Sequence, residues 1–252
     1  MPIDLNADVG EHEDADAAHL EASLFATVTS VNIACGAHAG GPDLMRRTLA
    51  LARETGVAAG AHPGFDDREG FGRAAQALSP LAIENLVAYQ LGALAALARA
   101  EGLAITHVKP HGALYNQAAR DEVVAEAVVT AVRAVDATLR VYALAGSQLE
   151  RAAERAGLRP VSEGFIDRGY TRDGSLVPRD QAGALVTNPD EAAARAVLLA
   201  REGVVVSVDG VRLAVSVGTL CVHGDTPGAV GIARAARHAL ESAGLVVAAP
   251  SR

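Results

Sequence analysis

Short runs of β-branched and small apolar residues alternate along this chain with Ala-rich stretches whose apolar positions recur at helical spacing. The pattern predicts strands at residues 3–8, 28–35, 57–62, 103–109, 140–144, 160–165 and 220–223. Helices are expected over 14–25, 43–55, 80–101, 121–135, 147–156, 189–202 and 228–243. Gly56 and Gly102 supply helix stops, and Ser79 followed by Pro80 supplies a start. Within 204–217, Asp209-Gly210 signals a tight hairpin. Strands that alternate with helices imply a parallel sheet with right-handed crossovers. No linker, repeat or low-complexity tract interrupts the pattern, so residues 1–252 read as one domain.

The polar residues within the strands decide between an open sheet and a barrel. Asp4, Asn6 and Asp8 share one face of the first strand, opposite Ile3, Leu5 and Ala7. A row of carboxylate, amide and carboxylate pressed against helices would be costly. Turned into a barrel lumen it is solvated or paired. The same two-residue period groups Gly60 with His62, His107 with Lys109 and His111, Glu163 with Asp167, and His223 with Asp225. Each group falls at the carboxyl end of its strand, where barrel enzymes keep their active sites. The expected fold is therefore a (β/α) barrel, seven-stranded or incomplete.

Composition narrows the chemistry. Half of the residues are hydrophobic but only 3% are aromatic, so the core is built from Ala, Val and Leu. A net charge of −8, with no basic patch, excludes a nucleic-acid binder. No apolar run reaches the roughly 18 residues of a membrane span, and the start of the chain lacks a secretory pattern, so a cytoplasmic protein is expected. Cys35 and Cys221 are far apart and read as free buried thiols. Lys109 is the chain's one lysine among 22 basic residues. An ammonium is a compact point charge that arginine's planar fork does not replace. Loop motifs for nucleotides and the serine elbow are absent: Lys109 precedes Pro110 without Walker glycine spacing. Asp8, His38 and His62 offer one acid and two imidazoles to a divalent metal, although their spacing forms no local signature. The Gly-rich stretch 36–41 lets backbone approach a ligand, and residues 171–184 read as a lid or partner-binding loop.

Taken in order, the stretches 4–11, 32–42, 60–65, 70–73, 108–116, 163–170 and 221–227 resemble the LamB/YcsF family, over nearly the whole chain. The resemblance implies a barrel of the glycoside hydrolase/deacetylase type. It also implies the A component of an ATP-dependent 5-oxoprolinase, which with subunits B and C opens 5-oxo-L-proline to L-glutamate while hydrolysing ATP, with Mg²⁺ as the nucleotide's counterion. On that reading Lys109 faces the oxyanion or phosphoryl group, Asp8 is the general base, and His111 or His223 donates a proton. Arg168 holds the substrate carboxylate, oriented by Asp167. Glu163 and Asp225 tune the site or bind Mg²⁺-nucleotide. Asn6, Asn32, His38 and His62 complete the substrate-binding set. Homo-oligomer formation is left open. The alternatives are a metal-dependent deacetylase or polysaccharide hydrolase, and a non-catalytic lactam-binding component. The chain departs from the family at Gly41, where an acid is usual, and at His12-Glu13-Asp14, Ile166 and Gly169.

Overall fold

The computed structural model describes residues 2–251; Met1 and Arg252, within the expected domain span, lie outside the described residues. The barrel strands are β1 (Asp4–Val9), β2 (Ser30–Ala34), β3 (Ala58–His62), β4 (His107–Val108), β5 (Arg140–Leu144), β6 (Arg159–Phe165) and β9 (Thr219–Val222). They close in that order into a barrel in which every pair is parallel, and β9 joins β6 to β1. Between β6 and β9 the chain inserts β7 (Val204–Val206) and β8 (Arg212–Ala214), an antiparallel hairpin at the anticipated Asp-Gly turn. Gly210 has the positive φ of 83° that this turn requires.

The helices are α1 (Ala15–Phe25), α2 (Pro42–Thr55), α3 (Pro80–Ala100), α4 (Gly112–Arg120), α5 (Glu122–Asp136), α6 (Gln148–Arg155), α7 (Pro189–Val197) and α8 (Ala229–Ser242). Ser79 caps α3 by accepting from the Ala82 amide, and Gly56 ends α2 in the left-handed region. Two segments depart from the periodicity. The expected helix to residue 202 stops at Val197 and relaxes into a π-helical turn, Leu198–Glu202. Helix α4 stands where the sequence predicts none, because its His-Gly start reads as a loop. The 21 residues of α3 also reach the length and mean hydropathy, 1.5, of a membrane span, contrary to expectation. Its apolar composition serves the helical layer: Ile83, Val87, Leu91, Leu94 and Ala98 are buried, and the helix packs on α5, α2 and β3.

The lumen is filled in polar layers. At the bottom Asp4 accepts from Ser30, Thr29, Tyr142 and Thr219. Burial raises its pKa, partly offset by those hydroxyls. Above it, the Asn6 amide donates to Glu163 and Thr219, the Asn32 amide donates to Asn6, and His107 Nε2 meets Asn32 Oδ1 at 2.9 Å. The top layer forms the floor of the site.

Candidate active site

Strand alternation aims Asp8, His62, Lys109 and His223 at the carboxyl rim, around a cavity of about 460 Å³, a size typical of small-molecule sites. Lys109 Nζ lies 3.0 Å from Asp8 Oδ1, 3.0 Å from Glu163 Oε1 and 3.0 Å from Cys221 Sγ. It also sits 5.3 Å from the centre of the Phe165 ring. Burial alone would lower the lysine's pKa. Asp8, Cys221 and Glu163 more than reverse this and hold it well above the ordinary value. Lys109 is thus a fixed ammonium rather than a lysine tuned to lose its proton. Burial likewise pushes Asp8 up, but His62 and Lys109 outweigh it, leaving the carboxyl well below its usual range.

His223 has the features of an acid–base group. Asp167 Oδ2 accepts from the His223 backbone amide at 2.8 Å and from Thr226 Oγ at 2.7 Å, and lies 3.0 Å from the imidazole Nδ1. A carboxylate only accepts, so Nδ1 carries a proton and Nε2 is the ring nitrogen left for the cavity. Burial raises Asp167, yet His223 and these hydrogen bonds bring it below the ordinary value. Phe165 stacks on the imidazole with centroids 5.4 Å apart.

Other residues fall elsewhere than the sequence suggested. Arg168 lines the cavity, but its Nε donates to Ala184 O and its Nη2 to Val177 O; those bonds tie down the loop 171–184. Burial and Arg179 press its pKa down to about 10. Asp167 spends its hydrogen bonds on His223 and Thr226 rather than on orienting Arg168. Asp225 lies off the cavity wall and pairs with Arg73 at 2.5 Å and Arg179 at 3.4 Å. Asn6, Asn32 and Glu163 belong to the layer below and brace the top one. His111 reaches the cavity, but its Nε2 meets Phe71 O at 2.8 Å and its Nδ1 faces His62 Nε2 at 3.0 Å rather than the open space. Sequence reasoning passed over Tyr115, which donates to Glu163 Oε2 at 2.7 Å, and the cavity arginines Arg120 and Arg179. The missing signal was α4, whose turns carry Tyr115 and Arg120 to the rim.

His38 does not join Asp8 in the expected Asp8–His38–His62 metal set. It stacks on His111, with centroids 3.8 Å apart, and its Nε2 is 3.7 Å from Glu11 Oε1. Glu11, His38, His62 and His111 form one cluster of ligand atoms, and Asp8, Cys221 and His223 form another. Lys109 Nζ contacts both Asp8 and Cys221, so an ammonium already serves the second cluster. Burial, with Asp8 second, raises Glu11 to about 7; burial, with His62 second, lowers His38 to about 2.

A closed seven-stranded parallel barrel whose carboxyl rim gathers a fixed ammonium, a carboxylate-backed imidazole and arginines around one cavity is a barrel enzyme. The chain belongs to the LamB/YcsF family, whose profile matches residues 3–252. It is 50% identical over 249 residues, 99% of this chain and 98% of the relative, to the A component of 5-oxoprolinase from Heliobacterium modesticaldum. The crystal structure of a lactam utilization protein from Thermus thermophilus superposes with a TM-score of 0.92 at 48% identity, covering 99% of this chain and all of that one. A deacetylase solved with its substrate shares the fold alone: TM-score 0.51 and 15% identity, over 98% of this chain and 86% of the other.

Proposed function

We propose that this chain is the A component of an ATP-dependent 5-oxoprolinase, acting in the cytoplasm with subunits B and C to open 5-oxo-L-proline to L-glutamate. The reading is supported by full-length identity of about half to relatives of that name. The observation that carries the chemistry is the convergence of Lys109 and the Asp167-backed His223 on one cavity. An unstrained lactam is a poor electrophile. Transfer of the ATP γ-phosphoryl to the lactam oxygen, with release of ADP, would leave an activated imidate that water attacks. Ring opening would give an acyl phosphate that a second water cleaves to glutamate and phosphate. At the carbonyl carbon, His223 Nε2 takes the proton of the attacking water and then returns it to the departing ring nitrogen. The Lys109 ammonium faces the developing oxyanion or a phosphoryl oxygen and needs no reorganisation to do so. Arg73, Arg120 and Arg179 on the cavity wall recognise the substrate carboxylate or phosphate. Asp8, held ionised, keeps Lys109 charged and in place; so acidic a carboxylate is a weak base.

The test mixes the purified chain with subunits B and C on 5-oxo-L-proline and ATP. Glutamate forms in the full mixture and not with any component omitted. Lys109→Ala lowers turnover by about 10²–10³-fold, as for loss of an oxyanion donor, while the complex still assembles on gel filtration. Full turnover by that variant would leave only a lactam-binding role.

A further inference from the structure

Beside the cavity, four side chains from separate rim segments come together at one spot. They are Glu11 after β1, His38 after β2, His62 at the end of β3 and His111 at the start of α4. Their ligand atoms all lie within 4.8 Å of one another.

Hydrogen bonding on the far side of the rings sets the tautomers. His62 Nδ1 is 2.7 Å from the Lys109 carbonyl oxygen. A carbonyl only accepts, so that nitrogen carries a proton, while Nε2 faces Asp8 Oδ2 at 3.4 Å as well as His111. His111 Nε2 is 2.8 Å from the Phe71 carbonyl, which leaves the lone pair on Nδ1. Phe71 presents that carbonyl from a left-handed backbone at φ 55°, the one non-glycine residue with positive φ among those described. His62 Nε2 and His111 Nδ1 then lie 3.0 Å apart, a spacing that a proton or a cation between them would hold.

A proton there would serve this pair and Asp8 Oδ2, and would leave Glu11 and His38 unserved. Glu11 Oε1 and both nitrogens of His38 are buried without a hydrogen-bond partner. His38 has no exposed side-chain surface, and the Glu11 side chain is only 6% exposed. Once His38 turns out of its parallel stack on His111, where the centroids are 3.8 Å apart, one metal ion would satisfy the pair, Glu11 and His38 Nε2 together. A tetrahedral ion with metal–nitrogen bonds of about 2.0–2.1 Å has ligand–ligand edges of about 3.4 Å. The edges here are 3.0 Å between His62 and His111, 3.6 Å between His111 and Glu11, and 3.7 Å between His38 and Glu11. Carbonyl oxygens behind two of the imidazoles are the outer-shell partners that metal-binding histidines use.

We infer that Glu11, His38, His62 and His111 form a binding site for a divalent first-row transition cation of the zinc type, set beside the cavity that Asp8, His62 and His111 line. Three imidazoles and one carboxylate suit zinc, cobalt or nickel rather than calcium or magnesium. The inference rests on the cluster's geometry and does not require the proposed reaction.

The test uses the full-length chain stripped with chelator and titrated with Zn²⁺ by calorimetry, metal content being read by elemental analysis after gel filtration. Co²⁺ substitution serves as the spectroscopic probe. The expected result is one equivalent of Zn²⁺ and, with Co²⁺, the intense visible absorption of a four-coordinate ion. Glu11→Gln, close to isosteric, and His38→Ala each weaken binding at least about 100-fold, beyond the roughly 10–100-fold typical of an outer-shell partner. Circular dichroism confirms that each variant is folded. The inference is overturned if the folded wild-type chain takes up no stoichiometric Zn²⁺, or if both variants retain its affinity. Turnover plays no part in these readouts, so failure of the reaction and failure of the site remain distinguishable.

Discussion

At the scale of single residues, the molecule separates charges that hold from charges that move. Lys109 and Asp8 hold each other in their ionised forms against the cost of burial, with Cys221 and Glu163 beside the lysine and His62 beside the acid. His223 sits at the cavity with a carboxylate behind it. Asp167→Asn removes the charge and allows the wrong imidazole tautomer. We expect kcat to fall by about 10²–10⁴-fold with little change in KM; steady-state kinetics of the assembled enzyme checks this, and an unchanged kcat would remove His223 from the proton transfers. Lys109 was legible in the sequence because a lone ammonium among arginines stands out, and the rows of period two exposed most of its neighbours. The partners of Asp167, Arg168 and Asp225 were not legible. Which of several nearby groups a carboxylate or guanidinium meets depends on loop paths, and no local spacing encodes those.

At the scale of elements, strand positions were readable because lumen-facing polar residues alternate with outward apolar ones. Strand β5 appears at its expected bounds, whereas β4 shrinks to His107–Val108. Helix α4 was hidden because Gly112, at φ 52°, opens it where a loop is the ordinary reading. The pairing of β3 with β4 has a strict requirement. A Cβ on Gly60 would lie 2.3 Å from the His107 ring, which is stacked on Tyr142 at 4.1 Å and hydrogen-bonded to Asn32. The ring has nowhere to go. Gly60→Ala should therefore cost about 2–3 kcal/mol or more, lowering Tm by about 5–10 °C. The same replacement at Gly92 in α3, where a Cβ meets open space, should instead stabilise by up to about 1 kcal/mol. Thermal unfolding of the two variants should shift in opposite directions; equal shifts would contradict the packing argument.

At the scale of the whole molecule, burying histidines in a barrel ties stability to pH. Burial, with Lys109 second, lowers His107 to about 3, and His38 lies at about 2, against about 6.5 in an unfolded chain. Between pH 6.5 and 3 the unfolded chain takes up protons that the folded chain refuses, so stability falls as pH falls. Glu11, raised to about 7, acts in the opposite sense between about 4.5 and 7, because there the folded chain keeps the proton. It cancels about one proton of the histidines' effect in that range. The expected net loss is about 1–3 kcal/mol per pH unit on acidification, steeper below pH 4.5. Urea midpoints of the chelator-stripped chain measured from pH 7 to 4 check the sign. His107→Gln, whose amide does not titrate, should flatten the slope.

The closure of β9 onto β1 has a consequence for how the chain comes into being. Asp4 and Asn6 find their partners at Thr219 and Cys221, more than two hundred residues later in synthesis. Until the ribosome has made β9, the carboxylates of β1 have no closed lumen to enter, and the first strand waits as an unfinished edge. Contacts of such sequence separation slow folding. The growing polypeptide therefore has no closed barrel, and no complete rim, until β9 has been made.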